Sequence, residues 1–258
     1  MKKLLALVLA LTMVLTAAAA LADTFIMGID PEYPPFSYLG DDGNYTGFDV
    51  EICKAACEKL GLDFQIFGVN WEEKLVQLDA GECDCVWSGM TILDSMKEKG
   101  YVISAPYFYN TQVVLVKADS GIATAADLAG KYVAVQLGTS GEELLNTDLA
   151  ALKDTFAQLV SCDSFLKCFT ELDGNSVDAV FVDLPVAVAY AGDRTDLKII
   201  NEDLGAEEYG VAFRSADAEL CAKIEGAVAE LIADGTYAAI AAKYEDIDPV
   251  NLLLLQAK

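Results

Sequence analysis

From Asp23 onward the chain alternates short apolar runs with stretches of helical period, joined by brief connections. Thr24–Gly28, Leu62–Gly68 and Asp84–Ser88 read as strands, and Asp49–Leu60 and Trp71–Ala80 as helices. In the first helix Ile52, Ala56 and Leu60 share a face, Asp49 stands at the N-cap and Gly61 closes the end. Strands alternating with crossover helices lead to an α/β sheet. A second series follows the Val-rich extended connection Thr111–Val116. Its predicted strands are Lys131–Gln136, Ala157–Ser161, Asp178–Val182 and Leu197–Ile200; helices are expected near Gly141–Leu152, Ser164–Leu172 and Leu184–Ala191. Tyr209–Phe213 is extended again, before helices over Ala216–Ala233 and Thr236–Tyr244. Two α/β units in tandem fit this pattern better than one sheet of about ten strands.

Charge and composition remove whole classes of function. With 17 Lys+Arg against 41 Asp+Glu, the net charge of −24 repels phosphate backbones, so no nucleic-acid partner is expected. The 258 residues include no histidine, which excludes Ser-His-Asp or Cys-His nucleophiles, histidine-ligated zinc and imidazole acid–base chemistry. At the N-terminus, Lys2-Lys3, an apolar run from Leu4 to Leu15 and Ala20-Leu21-Ala22 have the form of a secretory signal peptide over residues 1–22. No Cys follows it to carry a lipid, so the expected location is periplasmic or extracellular. The seven cysteines are Cys53, Cys57, Cys83, Cys85, Cys162, Cys168 and Cys221. Their spacing matches no zinc ribbon, and neither a metal nor a cofactor is expected. An odd number leaves at least one unpaired in a monomer, and a Cys162–Cys168 disulfide stays open.

Several short motifs then occur in a fixed order across the chain: Gly28-Ile29-Asp30-Pro31-Glu32-Tyr33-Pro34-Pro35-Phe36, Gly47-Phe48-Asp49-Val50, Ser88-Gly89-Met90-Thr91 and Ala105-Pro106-Tyr107. They continue with Gln136-Leu137-Gly138-Thr139-Ser140, Asp178 to Asp183, and Asp234-Gly235-Thr236-Tyr237. In this order the chain resembles the extracellular solute-binding proteins, family 3, the polar-amino-acid-binding components of ABC transporters. The resemblance implies a type II periplasmic-binding-protein-like fold, with two α/β lobes joined by two hinge strands. Lobe one would comprise residues 23–110 and 206–258, and lobe two residues 111–205. It further implies a monomer that traps a polar amino acid or related small zwitterion in the cleft and presents it to a membrane permease.

The same resemblance assigns the site. The Gly138-Thr139-Ser140 turn, opening a helix with Ser140 and Glu143 in capping-box spacing, would hold the ligand's α-carboxylate. Asp183, at a strand's end where open α/β sheets bind ligands, would pair with the α-ammonium; by residue type it serves equally as a helix N-cap. Ser88, Gly89 and Thr91 form the corresponding turn of lobe one. Tyr33 and Trp71 would wall the cleft, Phe36 reads as core, and Asp30 would face the ligand's distal group. The family arginine that grips the carboxylate is absent. Counting forward from Thr91 its slot falls on Met96; counting back from Ser104 it falls on Lys97, which keeps the register with Pro106-Tyr107 and takes the assignment. The competing function is an enzyme of the same fold, resembling cyclohexadienyl or arogenate dehydratases. The matched site supplies no acid or base beyond Asp30 and Asp183, so no catalytic residue is assigned.

Overall fold

The computed structural model describes residues 23–256; the signal-peptide assignment to residues 1–22 lies outside them. The strands in chain order are β1 Thr24–Ile29, β2 Glu32–Tyr33, β3 Ser37–Leu39, β4 Tyr45–Thr46, β5 Asp63–Gly68, β6 Cys85–Thr91 and β7 Val102–Ile103. They continue with β8 Phe108–Lys117, β9 Tyr132–Gln136, β10 Gln158–Cys162, β11 Ala179–Asp183, β12 Leu197–Ile200 and β13 Ala206–Phe213. In the first unit β1 lies parallel between β5 and β6, and β6 pairs antiparallel with β13. In the second, β9 is parallel to both β10 and β11, while β11 and β12 run antiparallel to β8.

β8 belongs to both units. Its residues 108–111 pair with residues 206–209 of β13, and the stretch 112–116 then pairs with β11. Hydrogen bonding therefore runs unbroken along one path of strands, β10-β9-β11-β8-β13-β6-β1-β5, where the sequence suggested two separate sheets. The exchange of partners in mid-strand divides that path into the two α/β units. The chain returns between β12 and β13, so only two connections join them.

One apolar cluster runs through both units, and a smaller one is confined to each. In β11 the alternating side chains serve opposite faces: Val180 and Val182 join the cluster holding Phe165, Phe169 and Val186, whereas Ala179 and Phe181 join the one holding Val114, Val133 and Leu145. Burial on both faces suits a central strand with helices above and below, which explains the unbroken apolar run. Helix Ser140–Asn146 is separated from helix Ala150–Lys153, where the sequence predicted one element. Thr147 leaves the helical region at ψ −93°, and its hydroxyl bonds the Glu143 carbonyl.

The first helix, Phe48–Leu60, corrects one expectation and keeps another. Gly61 closes it in the left-handed region at φ 68°, and the Leu62 N–H returns to the Cys57 carbonyl. Asp49, however, is not the cap. Gly47 caps at φ 127°, where a Cβ would lie 2.2 Å from the Phe36 carbonyl oxygen. Asp49 points inward, fully buried, and its Oδ2 accepts from the Gly89 N–H at 2.8 Å and the Tyr107 hydroxyl at 2.6 Å. It thus ties the helix to the turn after Ser88.

Burial lifts the Asp49 carboxyl from 3.8 to about 7, against the opposing bonds from Tyr107 and Gly89. The folded chain therefore keeps a proton that the unfolded chain releases, and this contribution to stability fades as pH rises from about 4 to about 7. Asp49→Ala should flatten that segment of the stability–pH curve. It should also destabilise the chain by about 1–3 kcal/mol, by leaving buried donors without an acceptor. Denaturant midpoints across that pH range test both; an unchanged curve would remove Asp49 from the account.

Candidate functional site

Parallel strands end on one side of their sheets, and here the ends of β1, β6, β9 and β11 converge between the two units. Between them lies a narrow cavity of about 20 Å³, room for little more than one water molecule. Tyr33, Trp71, Gly89 and Thr91 line it from the first unit, and Thr139, Ser140 and Asp183 from the second.

The units are closed upon each other by polar contacts. Tyr33 donates to Asp183 Oδ2 at 2.8 Å, Gln136 Nε2 to Asp30 Oδ2 at 2.7 Å, Thr91 Oγ1 to Ser140 Oγ at 3.0 Å and Lys74 Nζ to the Gly138 carbonyl at 2.6 Å. Across the units Gly138 makes this approach sterically possible, and within the first unit Gly89 makes room for Tyr33. A Cβ on Gly89 (φ 52°) would lie 2.3 Å from the Tyr33 ring, and one on Gly138 (φ 71°) would lie 2.6 Å from Glu72 Cα.

Asp183 lies at the N-terminal boundary of helix Leu184–Ala191 but makes no capping bond, so its carboxylate is free for other partners. Besides Tyr33, it accepts from Asn110 Nδ2 at 2.7 Å and Gln112 Nε2 at 2.6 Å. The same two amides also donate to Glu207 Oε1, at 2.6 and 3.0 Å. Strand register creates this cluster: Gln112 stands opposite Asp183 across β8 and β11, and Asn110 opposite Glu207 across β8 and β13. Burial first, and the neighbouring Glu207 second, push the Asp183 carboxyl well above the usual carboxylate range; the Tyr33 and Gln112 bonds oppose that rise. Tyr33 also exchanges a 2.9 Å bond with the Tyr209 hydroxyl, and burial raises both phenols. Asn110, Gln112 and Glu207 were not assigned from the sequence. The available signal was the pair of amides at i, i+2 in an otherwise Val-rich strand, which must share one face.

At the lobe-two turn, Thr139 rather than Ser140 is the cap. Thr139 Oγ1 accepts from the Glu142 N–H at 3.2 Å, and Glu142 Oε2 accepts from the Gly138 N–H at 2.8 Å. The capping pair is thus one residue earlier than its spacing suggested, which leaves the Ser140 hydroxyl to meet Thr91. Ser88 is fully buried and outside the cavity wall. It accepts from the Asp30 N–H at 3.1 Å and lies 2.5 Å from Ser37 Oγ, so it shapes the Asp30 loop. Asp30 is buried, with one oxygen on the Glu32 N–H and the other on Gln136. Phe36 is core, stacked on Tyr33 at 5.5 Å.

The arginine slot is settled against the sequence assignment. Helix Asp94–Glu98 turns Met96 inward, 3% exposed and in the cavity wall. Lys97 is more than half exposed, pairs with Asp94 at 3.5 Å and borders the open groove that adjoins the cavity at Thr91, Leu93 and Ser140, not the cavity wall itself. Lys74, unassigned from the sequence, is the cation that reaches the cavity.

A family model of the bacterial extracellular solute-binding proteins, family 3, matches residues 25–246. The L-cystine-binding protein of Escherichia coli (strain K12) is 33% identical over 228 residues, covering 87% of this chain and 84% of that protein. The ABC transporter arginine-binding protein 1 of the same organism is 29% identical over 92% of this chain and 96% of its own. Among solved structures, an ABC uptake transporter substrate-binding protein from Streptococcus pneumoniae with bound histidine superposes with a TM-score of 0.83. That protein is 29% identical, covering 87% of this chain and 93% of its own.

A cation entering beside Asp183 should displace the proton that burial and Glu207 hold there. Its affinity should therefore rise with pH from the ordinary carboxylate range up to the raised Asp183 value. Calorimetry in buffers of different ionisation enthalpy should register proton release, and Glu207→Gln should reduce it while the larger contribution of burial remains. Buffer-independent heats would show that the carboxylates hold no proton to release.

Proposed function

Because the chain belongs to the bacterial extracellular solute-binding proteins, family 3, we propose that it captures a polar amino acid or related small zwitterion and delivers it to the permease of an ABC transporter. One observation carries the reading: a buried carboxylate, Asp183, in the wall of the gap between the units and bonded by Tyr33 and Asn110 of one and Gln112 of the other, where it can pair with an ammonium group. The lobes are residues 23–110 with 206–258, and residues 111–205. The exported form is a monomer that begins near Asp23, after loss of residues 1–22.

Closure follows from differential affinity. A ligand touching Tyr33, Trp71 and Thr91 in one lobe, and Thr139, Ser140 and Asp183 in the other, gains all its contacts only when the lobes meet, so it shifts the population toward the closed form. The permease then has a shape to read. The role is non-enzymatic: the relatives described above are binding proteins, and the dehydratase alternative has no observation in its favour.

A thermal-shift screen over the common amino acids should find a ligand, which at 100 times Kd stabilises the chain by about 2.7 kcal/mol. Asp183→Ala should weaken its binding by roughly 2–5 kcal/mol, the cost of removing one member of a buried charge pair. Lys97→Ala should leave affinity within about 0.5 kcal/mol, as for a surface substitution away from the site. Unchanged binding by the Asp183 variant would refute the ammonium assignment.

A further inference from the structure

The cavity wall holds one anion and one cation, Asp183 and Lys74. Lys74 is 8% exposed, and its Nζ donates to the carbonyls of Trp71 and Gly138, at 3.0 and 2.6 Å. An ammonium has three donors, so one remains. The ammonium also rests 4.7 Å from the Trp71 ring centroid, a cation–π position that fixes it above the cleft wall. Among the described residues no carboxylate oxygen comes within 4.0 Å of it. Asp30, whose charge acts on it, spends one oxygen on Glu32 and the other on Gln136. Burial lowers the Lys74 ammonium to about 8, against the pull of Asp30, Glu143 and Glu142, so it is charged at neutral pH. A buried charge without a counter-charge is costly. Here Asp30, Glu143 and Glu142 offset it only from beyond 4 Å, and a carboxylate that enters between the units would pair with it directly.

We propose that Lys74 is the counter-charge for the carboxylate of the bound amino acid, filling from a different element the role that the family pattern gives to an arginine. The inference rests on the amino-acid reading above and deepens it. Met96 leaves the usual slot apolar, while Asp183 supplies the opposite pole for the ammonium, so the two charges of the wall match those of a zwitterion. Lys74 lies next to the Gly138–Ser140 turn, so a carboxylate held there would meet the ammonium and the Thr91 and Ser140 hydroxyls.

The test measures binding of L-arginine, L-histidine, L-glutamine and L-cystine, each against its α-amide. Wild type should prefer the carboxylate form of whichever it binds. Lys74→Met, which keeps the length of the side chain, should lose roughly 10- to 100-fold in affinity for that amino acid and most of its preference over the amide. Lys74→Arg should retain the preference, and adding Met96→Arg to Lys74→Met should restore it. Melting curves of each variant establish that it is folded. A folded Lys74→Met chain that still prefers the carboxylate, or that changes only its side-chain selectivity, overturns the role of Lys74 alone. A wild-type chain that binds none of the four overturns the amino-acid reading and the Lys74 role with it.

Discussion

A single buried carboxylate at the boundary between two sheets organises this molecule. Asp183 is held by Asn110 and Gln112 on the strand that passes between the units, and by Tyr33 from across the cleft. A carboxylate taken out of water is strongly unfavourable unless donors replace its hydration. Three donors do so here, and Glu207 competes for two of them. The cluster is therefore charge-rich, with Asn110 Oδ1 buried and unpartnered, and an incoming ammonium relieves what the amides cannot. The same group joins the units and draws the ligand.

β8 makes this arrangement possible. A strand that changes partners in its middle places consecutive inward side chains beside two different sheets, so Asn110 faces Glu207 while Gln112 faces Asp183. Only β8 and the return between β12 and β13 connect the units. Bending at these two connections alters the angle between the lobes, as in hinge closure around a ligand, and parts the apolar contact of Tyr33 with Phe165 across the cleft. The side chains nearest the hinge are then the ones that hold the reading group, which couples closure to occupancy.

How much of this was legible varies by kind of interaction. Local signals carried well: Gly61 ends its helix as its position implied, and Val180 and Val182 alternate with Phe181 as period-two burial requires. Signals that depend on partners distant in sequence did not. Asp49 has the residue type and position of an N-cap, yet a buried hydroxyl and an N–H from beyond the cleft turn claimed it. Ser140 lost the cap to Thr139 because one residue of register decides which hydroxyl meets the first free amides. Lys74 carried no assignment from the sequence, because its burial depends on the tertiary approach of Gly138.

Lys97 and Lys74 show why residue type alone misleads in an acidic chain. Lys97 sits near the slot expected of a cation but has a carboxylate of its own in Asp94 and water around it, so it gains little from a ligand. Lys74 has neither. Its two protein partners are neutral carbonyls, and the aromatic face of Trp71 supports it without neutralising it. With a net charge of −24, the chain repels anions at long range and attracts ammonium groups. A free carboxylate therefore gains nothing from the overall field and must be stabilised at short range. In water a single ion pair at 4 Å is worth only about 1 kcal/mol, and it strengthens severalfold as the effective dielectric falls. A buried ammonium that no carboxylate contacts directly, inside a closing cleft, meets that requirement, because its attraction grows as water leaves.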